Sequence, residues 1–169
     1  LGEQSIVLIA SNMTVLPDLS FYFEDSLGSI VEDSNYNVEI YYNLQKISND
    51  CVWGNEMCNL KNIIWTNSKS GTYLLEVRSI LNKLDLELVV KPNNPEKLRW
   101  INKPLHNIYP DERGTIYSTD IRLELLDNYD NLVTDSTNVG KIFVKNNSTI
   151  LQEATSIASN GYIDFNNFY

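Results

Sequence analysis

The segment PDLSFYFEDSLGSIVEDS, residues 17–34, is similar to a later segment of the same chain, TDIRLELLDNYDNLVTDS, residues 119–136. The two segments align without a gap at a constant offset, 127 − 25 = 102 positions. Identical residues stand at five aligned positions: Asp18 and Asp120, Asp25 and Asp127, Val31 and Val133, Asp33 and Asp135, Ser34 and Ser136. Apolar positions coincide as well: Leu19 and Ile121, Phe21 and Leu123, Phe23 and Leu125, Ile30 and Leu132, and beyond them Ile40 and Ile142. The match predicts an internal repeat, in which one hairpin comes twice.

Apolar and polar residues alternate with a period of two on both sides of this hairpin. The alternating segments are NVEIYYNL, TYLLEVRS, LDLELVVK and DIRLELLD. Such alternation is typical of strands that bury one face, and the clusters NSKSG, KPNNPEK and NYDN between them are typical of turns. Only NPEKLRW and STILQEATSIA carry a helix-like pattern, and both are short. The sequence therefore predicts an all-β chain of short strands.

A repeat of about 100 residues has the size of an immunoglobulin-like β-sandwich. The boundary is predicted in VVKPNNPEKLRW, where two prolines flank two asparagines. We therefore expect one sandwich at residues 1–91 and a second at 92–169. The first unit is expected to lack an opening strand and the second its closing strands, as in a window cut from a longer tandem array.

Composition and charge narrow the class of protein. The chain has 169 residues, a net charge of −9 and 43% hydrophobic residues, which is ordinary for a globular protein. An acidic surface repels nucleic acid and anionic lipid headgroups. No apolar run approaches the roughly 20 residues that a membrane span needs, and no signal-peptide pattern is present. Because the chain begins with Leu1 instead of Met, we expect a piece of a longer protein.

Two cysteines, Cys51 and Cys58, enclose six residues that include Gly54 and Asn55. A local disulfide can close such a loop around a turn. The alternatives are two free thiols or half of a metal site. A structural zinc site needs four Cys or His ligands, and the single histidine, His106, stands far along the chain. We predict the disulfide, which would contribute about 2 kcal/mol for so short a ring and would place the chain in an oxidising compartment.

Three glycosylation sequons favour the same secretory route. They start at Asn12, in NMT, and at Asn146 and Asn147, in NNST. Together with the cysteine pair they predict an extracellular or cell-surface glycoprotein.

The segments SGTYLLEVRS, LDLELVVKPNNPEKLRWINKP and DIRLELLDNYDNLVTDST resemble the tandem immunoglobulin-like repeats of the filamin and bacterial invasin/intimin type. Repeats of that type carry a D-x-x-G-N-x-V hairpin, which here reads DSLGSIV at residues 25–31 and DNYDNLV at 127–133. Asp130 replaces the usual glycine, present at Gly28, and aspartate tolerates a left-handed backbone better than most residues. The resemblance implies a β-sandwich array that serves as a surface stalk, adhesin or scaffold and has no catalytic residues.

The acidic hairpin also has the oxygens of a calcium loop, at Asp127, Asn128, Asp130 and Asn131. The pattern of an EF-hand is absent, however, and the counterpart DSLGS keeps only Asp25 as a carboxylate. We therefore interpret the hairpin as a turn whose side chains bond their own backbone. Calcium at the PNNPEK junction stays an open alternative, and no metal or cofactor is predicted.

No nucleophile motif or paired-acid cleft points to catalysis, and His106 is interpreted as a loop residue, so the chain is predicted not to be an enzyme. We interpret Trp65 and Trp100 as core residues. Trp53, inside the cysteine loop, is the candidate for an exposed contact, because aromatic residues anchor interfaces. We expect a structural or adhesive role through other protein chains or neighbouring repeats. The alternatives are a carbohydrate-binding module, which would take glycans, and an intracellular filamin-like spacer.

Overall fold

The computed structural model describes residues 5–31, 36–102 and 119–168. The chain divides into two compact units, Leu1–Lys91 and Pro92–Tyr169, and each is described by itself. Every helix or strand element in the described ranges is a β-strand, which confirms the all-β prediction. The two helix-like segments form strands as well. His106 lies outside the described residues. Within the described part of the chain, no helix has the length and apolarity that crossing a bilayer requires.

Unit 1 is built from short strands that follow the predicted alternation. Its described strands are β1 (Ser5–Ile9), β2 (Thr14–Val15), β3 (Leu19–Phe21), β4 (Phe23–Glu24), β5 (Ile30–Val31), β6 (Val38–Tyr42), β7 (Gln45–Lys46), β8 (Val52–Gly54), β9 (Met57–Leu60), β10 (Ile64–Trp65), β11 (Gly71–Ser79) and β12 (Lys83–Lys91).

The topology of unit 1 is that of an immunoglobulin-like sandwich. One sheet has the order β1-β12-β11-β6-β7, in which β1 runs parallel to β12 and the other neighbours are antiparallel. A second sheet has the order β3-β9-β8. Taking β3 as strand B, β6 and β7 as C and C′, β8 and β9 as D and E, and β11 and β12 as F and G gives the sheets C′-C-F-G and B-E-D of that fold. The fold-class prediction is confirmed on this topology.

Burial in unit 1 follows from the period-two pattern. The inward side chains of β6, β11 and β12 are buried, and the fully buried ones include Ile40, Leu75 and Leu88. Burying a side chain of this size stabilises the fold by roughly 1.5–3 kcal/mol. The pattern fails at Leu84, which shares their register but is 50% exposed, because it is the second residue of β12, beside the hairpin turn.

Unit 2 has five described strands: β13 (Lys97–Asn102), β14 (Thr119–Leu126), β15 (Val139–Asn146), β16 (Thr149–Ile157) and β17 (Tyr162–Phe168). They form a sheet β13-β14-β17 and a two-stranded sheet β15-β16. A buried cluster fills the unit: Ile121, Leu123, Leu125, Ala158, Ile163 and Phe165. Ile142, Val144 and Ala154 of the two-stranded sheet pack against it.

The repeat seen in the sequence is also a repeat of strand pairing. In unit 1, Leu19 of β3 pairs with Leu60 of β9. In unit 2, the equivalent Ile121 of β14 pairs with Phe165 of β17. The offsets are 121 − 19 = 102 and 165 − 60 = 105, so three residues are inserted between the two strands of unit 2. The β14–β17 pair therefore occupies the B–E position of the sandwich.

Candidate functional site

The repeated hairpin is built twice by the same hydrogen bonds. In unit 1, Asp25 Oδ1 accepts the backbone N–H groups two and four positions later, at 2.8 and 2.9 Å. In unit 2, Asp127 Oδ1 accepts the N–H groups at the same two positions, again at 2.8 and 2.9 Å. Gly28 and Asp130 both have a positive φ, of 80° and 61°. Asp130 thus takes the backbone conformation that the sequence predicted for it, and the hairpin is a turn closed by its first aspartate.

The two aspartates differ in burial and in their second oxygen. Asp25 is exposed, whereas Asp127 is fully buried. Asp127 Oδ2 accepts the backbone N–H of Asn93 at 2.9 Å and the side-chain amide of Asn131 at 2.9 Å. Four N–H donors therefore surround one buried carboxylate, and one of them belongs to the segment that leads into β13.

The same donors decide the charge state of Asp127. Burial raises the pKa of a carboxyl group, since it disfavours the charged form. The amide side chain of Asn131 and the backbone N–H groups of Asn131, Asn93 and Tyr129 stabilise the charged form, and on balance the pKa of Asp127 lies below its ordinary value. The group is therefore a carboxylate at neutral pH.

A lysine occupies the outer side of the unit 2 hairpin. Lys97 Nζ donates to the backbone carbonyl of Asn128 at 2.8 Å and to Asp130 Oδ1 at 2.9 Å. Both are oxygens that a calcium ion in this loop would need, and the ammonium group of Lys97 already donates to them. Among the described residues, no three His, Cys, Asp or Glu side chains form a group that could hold a metal ion. The Lys97 side chain links β13 to the hairpin.

The structure contains the disulfide between Cys51 and Cys58, with Cα atoms 5.5 Å apart. It links the residue before β8 to β9, next to the hairpin turn. Trp53, which the sequence placed as an exposed contact, instead packs inward. Its indole N–H donates to the carbonyl of Tyr36 at 3.0 Å, and its ring stacks on Phe23 with centroids 5.9 Å apart.

The inward position of Trp53 follows from its place in β8. Successive side chains of a strand point to opposite faces, so that Val52, 62% exposed, faces solvent while Trp53 faces the sandwich. The side chains that this hairpin offers to a partner are therefore Val52 and Met57, the latter 38% exposed.

The other two tryptophans divide between core and surface. Trp65 is buried and meets the rings of Tyr42 and Tyr73 edge-on, at 4.9 and 5.1 Å between centroids, so its prediction as a core residue is confirmed. The same prediction for Trp100 is wrong, because the side chain of Trp100 is 45% exposed. It lies on β13, the edge strand of its sheet, where every side chain is exposed.

Two of the predicted glycosylation sites can be placed. Asn12 is exposed in the connection between β1 and β2. Asn147 is exposed in the turn between β15 and β16, where its φ is 53°. The side chain of Asn146 lies outside what the structure describes.

The outer face of the five-stranded sheet in unit 1 carries a strip of apolar side chains. Val7 of β1 lies directly opposite Val89 of β12. Leu74 of β11 lies diagonally from Val89 on the same face, and Ile9 continues the strip along β1. Val7, Ile9 and Leu74 are 53, 52 and 62% exposed. We call these four residues the apolar strip.

Charged side chains occupy the part of this sheet farther from β1, on β6, β7, β11 and the start of β12. Lys46 Nζ contacts Glu39 Oε1 at 2.8 Å, and both Arg78 and Lys83 pair with Glu76. Hydrogen bonding to Lys46 lowers the pKa of Glu39, and hydrogen bonding to Arg78 and then Lys83 lowers the pKa of Glu76. Exposed pairs of this kind add little stability. Of these groups, Glu76 and Lys83 lie beside Leu74, and Glu87 is the residue directly opposite Leu74.

Sequence reasoning missed the apolar strip although a signal for it exists. Strand β1 reads SIVLI, and its last four residues are an uninterrupted apolar run with apolar side chains on both faces. Alternation of apolar and polar residues identifies only the face that a strand buries. A continuous run of apolar residues also indicates apolar side chains on the opposite face of the sheet.

The chain was compared with protein families, curated proteins and solved structures. No protein-family model and no curated protein matches the chain. Among solved structures, the chain is similar to InvD of Yersinia pseudotuberculosis, with 17% identity over 88% of this chain and 47% of that one and a TM-score of 0.40. It is similar to a three-immunoglobulin-domain structure of titin, with 12% identity over 99% and 54% of the two chains and a TM-score of 0.35. It is also similar to extracellular domains 3–5 of Drosophila OTK, with 11% identity over 98% and 53% and a TM-score of 0.33.

The chain spans about half the length of each of these structures. At these identities and TM-scores the likeness carries no assignment of its own. The strand order of unit 1 carries the immunoglobulin-like assignment.

Proposed function

We propose that the chain is a structural or adhesive segment of an extracellular or cell-surface protein, and that it acts through protein–protein contacts. The apolar strip is the observation that carries this proposal. Its side chains project from one face of a five-stranded sheet, three of them are more than half exposed, and charged residues lie beside Leu74. A partner that covers the strip removes apolar area from water, which is the main favourable term in association.

An adhesion assay with matched variants tests this proposal. Beads coated with the 169-residue chain are applied to plates that carry defined extracellular-matrix proteins and to cultured cell layers. The double variant Val7→Glu/Leu74→Glu is expected to reduce bead retention at least tenfold, because it places two charges in the apolar strip. Leu27→Glu is the control, since Leu27 is 89% exposed in the hairpin of the same unit. Equal retention of all three proteins, or no retention of the unsubstituted chain, would contradict the proposal.

We also propose that the units are successive modules of a tandem array, with the domain boundary after Lys91. The segment that follows, PNNPE, precedes β13 and contains two prolines. Limited proteolysis is expected to cut between residues 91 and 97 before it cuts within either unit. Cleavage inside β11 or β14 at the same rate would argue against two independent modules.

The surface location rests on the disulfide between Cys51 and Cys58 and on the exposed Asn12. Mass spectrometry of the protein from its native source is expected to show no free thiol and a glycan at Asn12. Free thiols together with an unmodified Asn12 would favour the intracellular spacer instead.

Carbohydrate binding is the second candidate, and Trp100 supports it. An exposed indole on an edge strand offers a flat apolar face of the kind on which sugars stack. A glycan array with the unsubstituted chain and Trp100→Ala decides this point. Binding that the alanine variant loses would support a carbohydrate-binding module, and no binding to any glycan would remove this candidate.

A further inference from the structure

Opposite charges lie at equal distances on either side of Val89 on the outer face of β12. The strand reads KLDLELVVK, and alternation places Glu87, Val89 and Lys91 on one face. Burial fixes this assignment, since Leu88 and Val90, the residues between them, are buried. Glu87 and Lys91 each stand two residues from Val89, about 6.6 Å along the strand. An apolar residue of the apolar strip therefore has an acid on one side and a base on the other.

Neither of these two charges has a partner within the described part of the chain. Glu87 and Lys91 are exposed, and no ion pair between described residues includes either of them. Glu87 stands between Ser5 of β1 and Leu74 of β11, and Lys91 stands beside Ile9 of β1. Both charges can therefore bind a group on another molecule without breaking an ion pair of their own sheet.

The charges on this outer face balance, although the whole chain is acidic. The net charge of the chain is −9. The described strands of the face carry equal numbers of acidic and basic side chains, which are Glu39, Glu76, Asp85 and Glu87 against Lys46, Arg78, Lys83 and Lys91. Two copies of an acidic chain repel each other in most orientations. A face on which the charges balance is where a second copy meets little repulsion.

A two-fold axis at Val89 brings this pattern onto itself. An isologous contact uses the same patch of both copies, so that residue i meets residue j and j meets i. With the axis between two facing sheets and across β12 at Val89, each Glu87 meets Lys91 of the other copy. Facing sheets pack about 10 Å apart, a distance that a glutamate and a lysine side chain can span together. Ile9 lies level with Lys91, and Leu74 lies level with Glu87, so each of the facing rows also holds an apolar side chain.

We propose that the apolar strip binds the apolar strip of a second copy of this chain, face to face about a two-fold axis at Val89. Burial of the apolar side chains supplies the main favourable term. The two pairs of Glu87 with Lys91 fix the register and exclude partners that lack the same spacing of charges. Chains on two facing surfaces would adhere through this contact. The inference rests on the proposed function, because it takes the apolar strip as a protein contact surface and names its partner.

Charge reversal tests the pairing. Glu87→Lys and Lys91→Glu are made singly in the 169-residue chain, and self-association is measured by sedimentation velocity up to millimolar concentration. The unsubstituted chain is expected to self-associate. Each single variant sets like charges against each other at both contacts and is expected to associate roughly tenfold or more weakly. Glu24→Lys makes the same change of charge at an exposed residue of another sheet and should associate like the unsubstituted chain.

An equimolar mixture of the two single variants is the decisive measurement. In a mixed pair, the lysine introduced at position 87 meets the glutamate introduced at position 91, and the native Lys91 of one copy meets the native Glu87 of the other. The mixture is expected to associate about as strongly as the unsubstituted chain, which also shows that both variants fold. The double variant Glu87→Lys/Lys91→Glu has opposite charges at both contacts and is expected to associate with itself.

Three results would overturn the proposal. These are an unsubstituted chain that stays monomeric, single variants that associate as strongly as the unsubstituted chain, and no recovery of association in the mixture.

The adhesion assay separates failure of this inference from failure of the proposed function. A monomeric chain whose beads are still retained through the apolar strip would overturn this inference alone and would assign the strip to a different protein. Self-association that follows the charge pattern, without retention of beads on any matrix protein or cell layer, would support this inference and contradict the proposed function. Absence of both self-association and retention would overturn both.

Discussion

Replacing Asp127 with alanine should destabilise unit 2 far more than replacing Asp25 should destabilise unit 1. Both aspartates close the same hairpin with the same two N–H bonds. Asp127 is buried and takes two more donors, from Asn93 and the side chain of Asn131. Comparing the two alanine variants therefore separates two contributions to stability. One comes from burial and the long-range hydrogen bonds of Asp127, and the other comes from the hydrogen bonds within the turn.

The expected magnitude follows from the four donors. Each buried donor that loses its partner costs about 1–3 kcal/mol, and water that enters the emptied space recovers part of this cost. With about 1 kcal/mol for each of four donors, Asp127→Ala is expected to lower the free energy of unfolding of unit 2 by about 4 kcal/mol. Asp25 is exposed and its two donors can turn to water, so that Asp25→Ala is expected to cost about 1 kcal/mol or less.

Hydrogen exchange read by mass spectrometry at peptide resolution can follow the two units separately. In Asp127→Ala, exchange in β14 and β17 is expected to accelerate by about three decades, since 1.4 kcal/mol corresponds to a factor of ten. Strands β11 and β12 of unit 1 serve as the internal reference and should not change.

Two results would refute the reasoning. One is acceleration below tenfold in β14 and β17, with changes confined to the hairpin turn. The other is an effect of Asp25→Ala on unit 1 as large as that of Asp127→Ala on unit 2, because burial would then not be the source of the difference.

Three further predictions concern acid, reduction and a close-packed glycine. Because the folded state lowers the pKa of Asp127, its contribution is complete above the ordinary pKa near 4 and is lost as pH falls through the lower folded value. Denaturation of unit 2 should show this loss as the pH falls below about 4, with no loss from this group between pH 7 and 5, and Asp127→Asn should be less stable at pH 7 with a smaller acid dependence. Reduction of the bond between Cys51 and Cys58 by dithiothreitol should lower the free energy of unfolding of unit 1 by about 2 kcal/mol and leave unit 2 unchanged. Unchanged urea denaturation of unit 1 on reduction would contradict this. Gly161→Ala should cost about 2 kcal/mol or more, because φ is +85° and the added Cβ would lie 2.7 Å from a leucine side chain. Gly54→Ala, whose Cβ meets nothing within 4 Å, is the control and should change the melting temperature little.

The sequence predicted those parts of the fold that depend on local pattern. Alternation in LDLELVVK placed Leu86, Leu88 and Val90 on one buried face, as the structure shows. The gapless offset identified a hairpin whose hydrogen bonds do recur. The left-handed conformation of Asp130 followed from its alignment with Gly28. In each case the cause lies within a few residues of the effect.

Features that depend on distant residues could not be read from the sequence. The second oxygen of the buried Asp127 accepts from Asn93, 34 positions earlier, and no local pattern reports that contact. Trp53 was interpreted as exposed because it lies in a short disulfide loop. Alternation along β8 turns the side chain inward, and its partners there, Phe23 and the carbonyl of Tyr36, lie on other segments. Trp100 was assigned to the core by residue type, whereas its edge strand leaves it open.

The parallel pairing of β1 with β12 has a consequence for a chain under tension. The ladder joins five residue pairs, from Ser5 with Glu87 to Ile9 with Lys91, and Ala10 N–H adds a bond to the Lys91 carbonyl at 2.8 Å. A force that pulls the start of β1 away from the end of β12 acts along the two strands in opposite directions. The bonds between them are then loaded in shear, all together, and must break together. A hairpin pulled from its open end instead unzips one bond at a time, so this ladder is where unit 1 would resist extension.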